Sequence, residues 1–159
     1  MPRAFVALGA NLDDPQVQVR AALAALARLP QVTLVATSSL YRTAPVGLVG
    51  QPDFINAVAA LDTSLSPDDL LEALFAIERS FGRVRKEKNG PRTLDLDLLL
   101  YDDRSVTSQH LQLPHPRLHL RAFVIVPLAE IAPDCAIPGR GHVAAWLPAV
   151  ANQNIERLP

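Results

Sequence analysis

The segment Leu94-Asp-Leu-Asp-Leu-Leu-Leu100 limits what this chain can fold into more than any other stretch. In a strand successive side chains point to opposite faces, so Leu94, Leu96, Leu98 and Leu100 enter one apolar face, while Asp95 and Asp97 project together from the other, about 7 Å apart. The segment therefore reads as a strand with one face in a core and two carboxylates converging on a single spot. Two like charges at that spacing repel, and a hard cation such as Mg²⁺, completed by phosphate oxygens, is the usual answer. For the pair alone, a solvated strand face that carries two acids is the competing reading.

The preceding residues bear on that choice. Between Arg79 and Arg92 six basic residues, Arg79, Arg83, Arg85, Lys86, Lys88 and Arg92, stand against one acid, Glu87. This is a local charge of +5 in a chain whose 15 Lys and Arg against 16 Asp and Glu give a net charge of -1. A cationic loop entering onto two carboxylates suits a polyphosphate with bound Mg²⁺, since arginines fork onto phosphate oxygens and acids hold the metal. By itself the basic run also fits a solubilising loop or a nucleic-acid patch; its contiguity with Asp-x-Asp favours phosphate. There is no Walker A pattern and no G-x-G-x-x-G. His115 and His119 have no zinc-spaced company. His115, between Pro114 and Pro116, is either a held phosphate donor or a turn residue. Cys135 has no basic neighbour within several residues and reads as inert. One cysteine cannot form an intramolecular disulfide, which fits a reducing compartment, so a cytoplasmic location is expected. No run of about 18 apolar residues occurs, so a soluble chain is expected. The near-zero net charge excludes a general nucleic-acid coat or membrane-surface protein.

The element order sets the fold class. With 159 residues, 49% of them hydrophobic, one domain over residues 1–159 is expected, two very small ones being the alternative. Ala4 to Leu8 reads as a strand ended by Gly9. Asp13-Asp14-Pro15 supplies a cap and a first-turn proline for a helix carrying Val19, Ala22, Leu23, Leu26 and Leu29 as far as Pro30. Thr33 to Tyr41 and Phe54 to Leu61 read as strands. Ser66-Pro67-Asp68-Asp69 opens a second helix whose buried stripe is Leu70, Leu74, Ile77 and Phe81, and Gly82 ends it. Beyond Tyr101, the Leu111 to Leu113 segment, the proline-flanked His115 segment and Phe123 to Leu128 suggest short strands and connections, and a short helix is expected from His142. This is an α+β, ferredoxin-like plait: a central antiparallel or mixed sheet with flanking helices. The irregular stretches Arg42 to Pro52 and Gly82 to Pro91 are the candidate binding loops.

From Phe5 to at least Pro133 the chain resembles the 6-hydroxymethyl-7,8-dihydropterin pyrophosphokinases of folate biosynthesis. The resemblance is carried by Gly9-x-Asn11, Tyr41-Arg42-Thr43 with Pro45 and Gly47, Gln51-Pro52-x-Phe54-x-Asn56, Gly82-Arg83-x-Arg85, Gly90-Pro-Arg-Thr-Leu-Asp-Leu-Asp97, and Pro114-His115-Pro116-Arg117 leading to Arg121-x-Phe123. It implies transfer of a pyrophosphoryl group from ATP, as co-substrate, to the hydroxymethyl oxygen of the dihydropterin, releasing AMP, with two Mg²⁺. By the same resemblance Asp95 and Asp97 bind the metals and form the catalytic set with Arg83, Arg85 and Arg92. ATP contacts are expected at Glu78, Arg83, Lys86, Arg92, Leu98, His115 and Arg121, with Arg85 and Lys86 in a closing loop. Phe54 and Phe123 would sandwich the pterin, Asn56 would read its edge, and groups near Thr43 and Val46 would complete the contacts. Phe54 and Phe123 taken alone also fit as core residues.

The expected partners are these two small molecules, with no nucleic acid and no membrane, and a monomer is expected. Three positions depart from the family pattern: Asn89 replaces a frequent loop tryptophan, Phe75 a frequent glutamine, and Ala44 a common proline. A small RNA-binding module and a different Mg²⁺-dependent nucleotidyl or phosphoryl transferase are the rival functions. Eight aromatics and the net charge of -1 count against the first.

Overall fold

Strand β1 (Arg3–Ala10) is the hub of the architecture, pairing antiparallel with β4 (Phe54–Thr63) on one side and β5 (Asp95–Tyr101) on the other. The computed structural model of the chain describes residues 1–44, 52–82 and 94–159. Helix α1 (Pro15–Ala27) follows β1, then β2 (Val32–Thr37) and β3 (Tyr41–Thr43); α2 (Pro67–Ser80) lies between β4 and β5. Two short hairpins, β6 (Val106–Thr107) with β7 (Gln112–Leu113) and β8 (Ala136–Ile137) with β9 (Gly141–His142), flank α3 (Ala122–Ile131). The last element is β10 (Glu156–Arg157), which gives the main sheet the order β10-β3-β4-β1-β5. β4 is long enough to pair β3 along Phe54–Asn56 and β2 along Ala59–Thr63. This is the expected ferredoxin-like α+β plait.

Alternation along the strands builds two cores. Ala4, Val6 and Leu8 of β1, with Ala57, Ala59 and Leu61 of β4, pack under α1 and α2 against Val19, Leu26, Leu70 and Leu74. Phe5, Ala7, Val58 and Ala60 face the other way, against Val124, Ile125 and Leu128 of α3. Burying each such leucine or isoleucine is worth about 1.5–3 kcal/mol.

Strand β5 keeps the expected alternation only in part. Leu94, Leu96 and Leu98 join the first core. The register then slips, Val6 facing Leu98 and Phe5 facing Leu100, and the extra residue sends Leu100 into the second core beside Leu99. Leu100 thus does not share the face of Leu94, because a bulge reverses side-chain parity beyond it.

Ser66 caps α2 as expected, its hydroxyl accepting the Asp69 N–H at 3.1 Å, and Gly82 follows with φ +79°. Asp14 does not cap α1 through its side chain; Asp13 and Asp14 both adopt positive φ, and Pro15 starts the helix. The strand expected over Thr33 to Tyr41 is broken into β2 and β3. Ser38 takes over at the break, its N–H donating to the Val58 carbonyl and its hydroxyl accepting the Val58 N–H, each at 2.9 Å. Phe123 to Leu128 is helical, in α3, and does not form a strand. Its β-branched residues mimic strand chemistry, but burial of Val124, Ile125 and Leu128 against the sheet decides the outcome. The stretch from His142 forms 3-10 turns at Val143–Trp146 and Pro148–Val150 in place of one helix. Among the described residues no helix is long and apolar enough to cross a membrane.

Candidate active site

A cleft opens on the α3 side of the sheet. Its floor is a cross-strand row in which Asp95 of β5 is opposite Gly9 of β1, and Gly9 is opposite Asn56 of β4. Asp97, two residues along, faces Ala7, and both carboxylates line the cleft. Thr43 and Phe54, themselves paired across β3 and β4, form one wall; Arg121 and Phe123, at the start of α3, form the other. The Arg121 guanidinium carbon lies 5.3 Å from the centroid of the Phe123 ring, a cation–π distance.

Asn56 is buried, and its amide is oriented by its neighbours: Nδ2 donates to Thr43 Oγ1 at 2.8 Å. A Cβ on Gly9 would come within 3.1 Å of Asn56 Oδ1, so the missing side chain is what leaves room for that amide. Asn11, also buried, donates from Nδ2 to the Pro52 carbonyl at 3.1 Å and fixes the chain entering β4.

A second cleft lies on the outer side of β5. Leu71 and Phe75 of α2 and Leu98 of β5 give it an apolar wall, while Gln112 and His115 bring polar groups. Asp97 lines this cleft as well as the first. His115 is held by its backbone N–H, which donates to Leu99 O at 2.9 Å, and its Nδ1 accepts the Arg117 N–H at 3.2 Å. Burial, reinforced by Arg121 and Arg117 and opposed by Asp95, pushes its pKa down to about 4. The ring is therefore neutral near pH 7, and with Nδ1 accepting, its proton is on Nε2, which is a donor.

Glu78 is only 3% exposed, and its carboxylate accepts the Leu96 N–H at 2.7 Å, between the two aspartates. It thus ties α2 to β5 directly beneath the acidic pair. Val46, Arg83, Arg85, Lys86, Arg92 and the departing Asn89 lie outside the described residues. Ala44 lines the first cleft and Phe75 the second. Thr43, Phe54, Asn56, Asp95, Asp97, Arg121 and Phe123 are thus brought together around one cleft, and Leu98 and His115 around the other.

One contributor has no motif in the sequence. Glu130, on α3, accepts from Ser39 N–H at 2.9 Å and from Tyr41 Oη at 2.6 Å, joining the helix that carries Phe123 to the strand that carries Thr43. Burial alone would raise the Glu130 pKa, but the bonds from Tyr41 and Ser39 and the charge of Arg157 outweigh it and hold the carboxyl below its ordinary value. Burial and Glu130 together push Tyr41 up to about 12. The available signal was that Glu130 is the lone charged residue between Ala122 and Ile131.

A cleft with Phe54 on one wall, Phe123 on the other and a polar floor, adjoining a second cleft at the shared residue Asp97, is the layout of an enzyme that brings two substrates together. Residues 5–133 match the family model for 7,8-dihydro-6-hydroxymethylpterin-pyrophosphokinase. The chain is 51% identical over 157 residues to the 2-amino-4-hydroxy-6-hydroxymethyldihydropteridine pyrophosphokinase of Pseudomonas aeruginosa, covering 99% of this chain and 97% of that one. It is 44% identical over 158 residues to the Haemophilus influenzae protein of the same name, covering 99% of each. A crystal structure of wild-type HPPK-DHPS from Plasmodium falciparum superposes with a TM-score of 0.72 at 14% identity, covering 93% of this chain. The present chain spans 43% of the length of that one. The chain belongs to the 7,8-dihydro-6-hydroxymethylpterin-pyrophosphokinase family. Its activity is pyrophosphoryl transfer to 6-hydroxymethyldihydropterin in folate biosynthesis, with ATP as co-substrate.

Proposed function

We propose that the first cleft takes the dihydropterin, that the second takes ATP, and that two Mg²⁺ ions are held by Asp95 and Asp97 where the clefts meet. The observation that carries this reading is that Asp97 lines both clefts. One aspartate then stands between the acceptor alcohol and the donor phosphates, which is what alignment of two substrates requires. The donor set suits Mg²⁺: two hard carboxylates from one strand face, the remaining positions being left for phosphate oxygens and water. Bound there, the metal would neutralise charge on the transferring group and acidify the hydroxymethyl alcohol.

The chain's own residues do the rest. Phe54 and Phe123 stack on the two faces of the pterin ring, and Thr43 and Asn56 read its hydrogen-bonding edge, so that rings lacking those groups leave buried polar atoms unpaired. Leu71, Phe75 and Leu98 supply an apolar wall for the base of ATP. His115 donates from Nε2 to a phosphate oxygen, and Arg121 reaches the same region from the cleft wall. Arg83, Arg85, Lys86 and Arg92 supply further cationic partners for the phosphates, and Val46 a backbone contact to the pterin. Glu78 acts through β5, holding the strand that carries the metal ligands. On this reading the chain works as a single domain and a monomer in the cytoplasm; the main sheet shared by both clefts supports the first, and the lone cysteine fits a reducing compartment.

The deciding assay follows AMP release from ATP with and without 6-hydroxymethyl-7,8-dihydropterin and Mg²⁺. AMP is expected to form in step with pterin consumption and to stop when EDTA removes the metal. AMP release without the pterin, or undiminished turnover in EDTA, would overturn the reading.

Gly9→Ala gives a check confined to the pterin edge. The added methyl presses on Asn56 Oδ1, so the KM for the pterin is expected to rise about tenfold, a loss of about 1.4 kcal/mol, with ATP affinity within about twofold of the parent. Steady-state kinetics varying each substrate reads both values, and equal losses for the two would contradict the assignment of Asn56.

A further inference from the structure

The C-terminal segment beyond residue 133 lies outside the matched family region, yet it grips the turn that presents Arg121. Gln153 Oε1 accepts the Ala122 N–H at 2.8 Å, and Gln153 Nε2 donates to the Leu120 carbonyl at 2.8 Å. The orientation of the amide follows from its partners, a donor on one side and an acceptor on the other. One side chain therefore brackets the backbone of Arg121 as a neighbouring strand would, with Arg121 extended at φ -119° and ψ 118°.

That position matters for α3. The Ala122 N–H belongs to the first turn, whose donors have no partner within the helix, and the N-cap residue Arg121 offers no side-chain cap of its own. Gln153 thus satisfies the helix start from outside and leaves the Arg121 side chain to the cleft, over Phe123. A second grip lies close by: the His119 ring meets Trp146 edge-on at 4.9 Å. Past Gln153 the segment pairs with β3, Glu156 opposite Arg42 and Arg157 opposite Tyr41, immediately before Thr43. The same stretch of chain is therefore fastened to both walls of the first cleft.

We propose that Gln153 is a positioning residue for Arg121: its amide fixes the extended backbone from which Arg121 enters the cleft, which makes the C-terminal segment part of the catalytic apparatus. The proposal rests on the reading of the first cleft as a substrate site. A small misplacement of a substrate-positioning group can cost up to about a hundredfold in rate. Gln153→Ala is expected to lower kcat/KM about tenfold or more.

The test is a double-mutant cycle on the full chain, using Gln153→Ala, Gln153→Glu, Arg121→Ala and the two doubles, with circular dichroism melting alongside. Gln153→Glu retains the acceptor for Ala122 N–H and loses the donor to Leu120, so it is expected to recover part of the loss. In the Arg121→Ala background, neither Gln153 change should cost anything further. Equal losses with and without Arg121, or no loss in either single variant, would overturn the proposal and show a purely structural cap. Full activity in Arg121→Ala would instead remove the site reading beneath it. Those two failures are told apart by the Arg121→Ala single variant.

Discussion

Asp97→Ala is expected to lose turnover by about 10³-fold or more while the protein folds normally. The size follows from position: Asp97 lines both clefts, so its loss weakens the metal site and the alignment of both substrates together. Removing a Lewis-acid contact from the transferring group forfeits several kcal/mol, and each 1.4 kcal/mol is a factor of ten. Stability should move little, because the side chain is half-buried on the cleft face and belongs to neither apolar core. The measurement is kcat at saturating ATP and pterin, with thermal melting as the control and a calorimetric titration of Mg²⁺-ATP. Near-normal turnover in a folded Asp97→Ala protein would sink the two-metal reading. So would a variant whose loss is fully recovered by raising the pterin concentration alone.

How much of this was legible in the sequence depends on whether the signal was local. The alternation Leu94-Asp-Leu-Asp97 specified a strand face, because period-two patterning and burial agree there, and the structure puts both acids on one cleft. Ser66-Pro67 specified a helix start for the same reason: cap and proline chemistry act within one turn. Phe123 to Leu128 reads as a strand because an all-apolar run has no polar face to reveal its period, and Val124, Ile125 and Val126 are strand formers by propensity. Only packing on the sheet makes that run a helix, and Phe123 reaches the cleft only because it is helical. The bulge that diverts Leu100 has no glycine or proline to announce it; the requirement arises across the pair with β1. Glu130 and Gln153 were invisible for a related reason. Their partners, Tyr41 and the Arg121 turn, are 89 and about 32 residues away, and nothing in the local pattern states that the segments meet.

The family resemblance makes Glu78 an ATP contact, and the structure gives it a further task in holding β5. β5 is the last strand on its side of the sheet, and an edge strand carries outward N–H groups in need of partners. The Glu78 carboxylate takes the Leu96 N–H at 2.7 Å from a residue only 3% exposed, in the last turn of α2. Glu78→Ala would leave that buried N–H without its acceptor, at a cost of about 1–3 kcal/mol. For a chain of 159 residues this is a fall in melting temperature of roughly 3–10 °C. Because Leu96 sits between Asp95 and Asp97, turnover is expected to fall with stability and to be largely regained in Glu78→Gln, whose amide oxygen still accepts the bond. Thermal melting and kinetics on the two variants separate the roles. A Glu78→Ala protein as stable as the parent would remove the clamp. Loss of ATP affinity in both variants at unchanged melting temperature would make Glu78 a nucleotide contact in its own right.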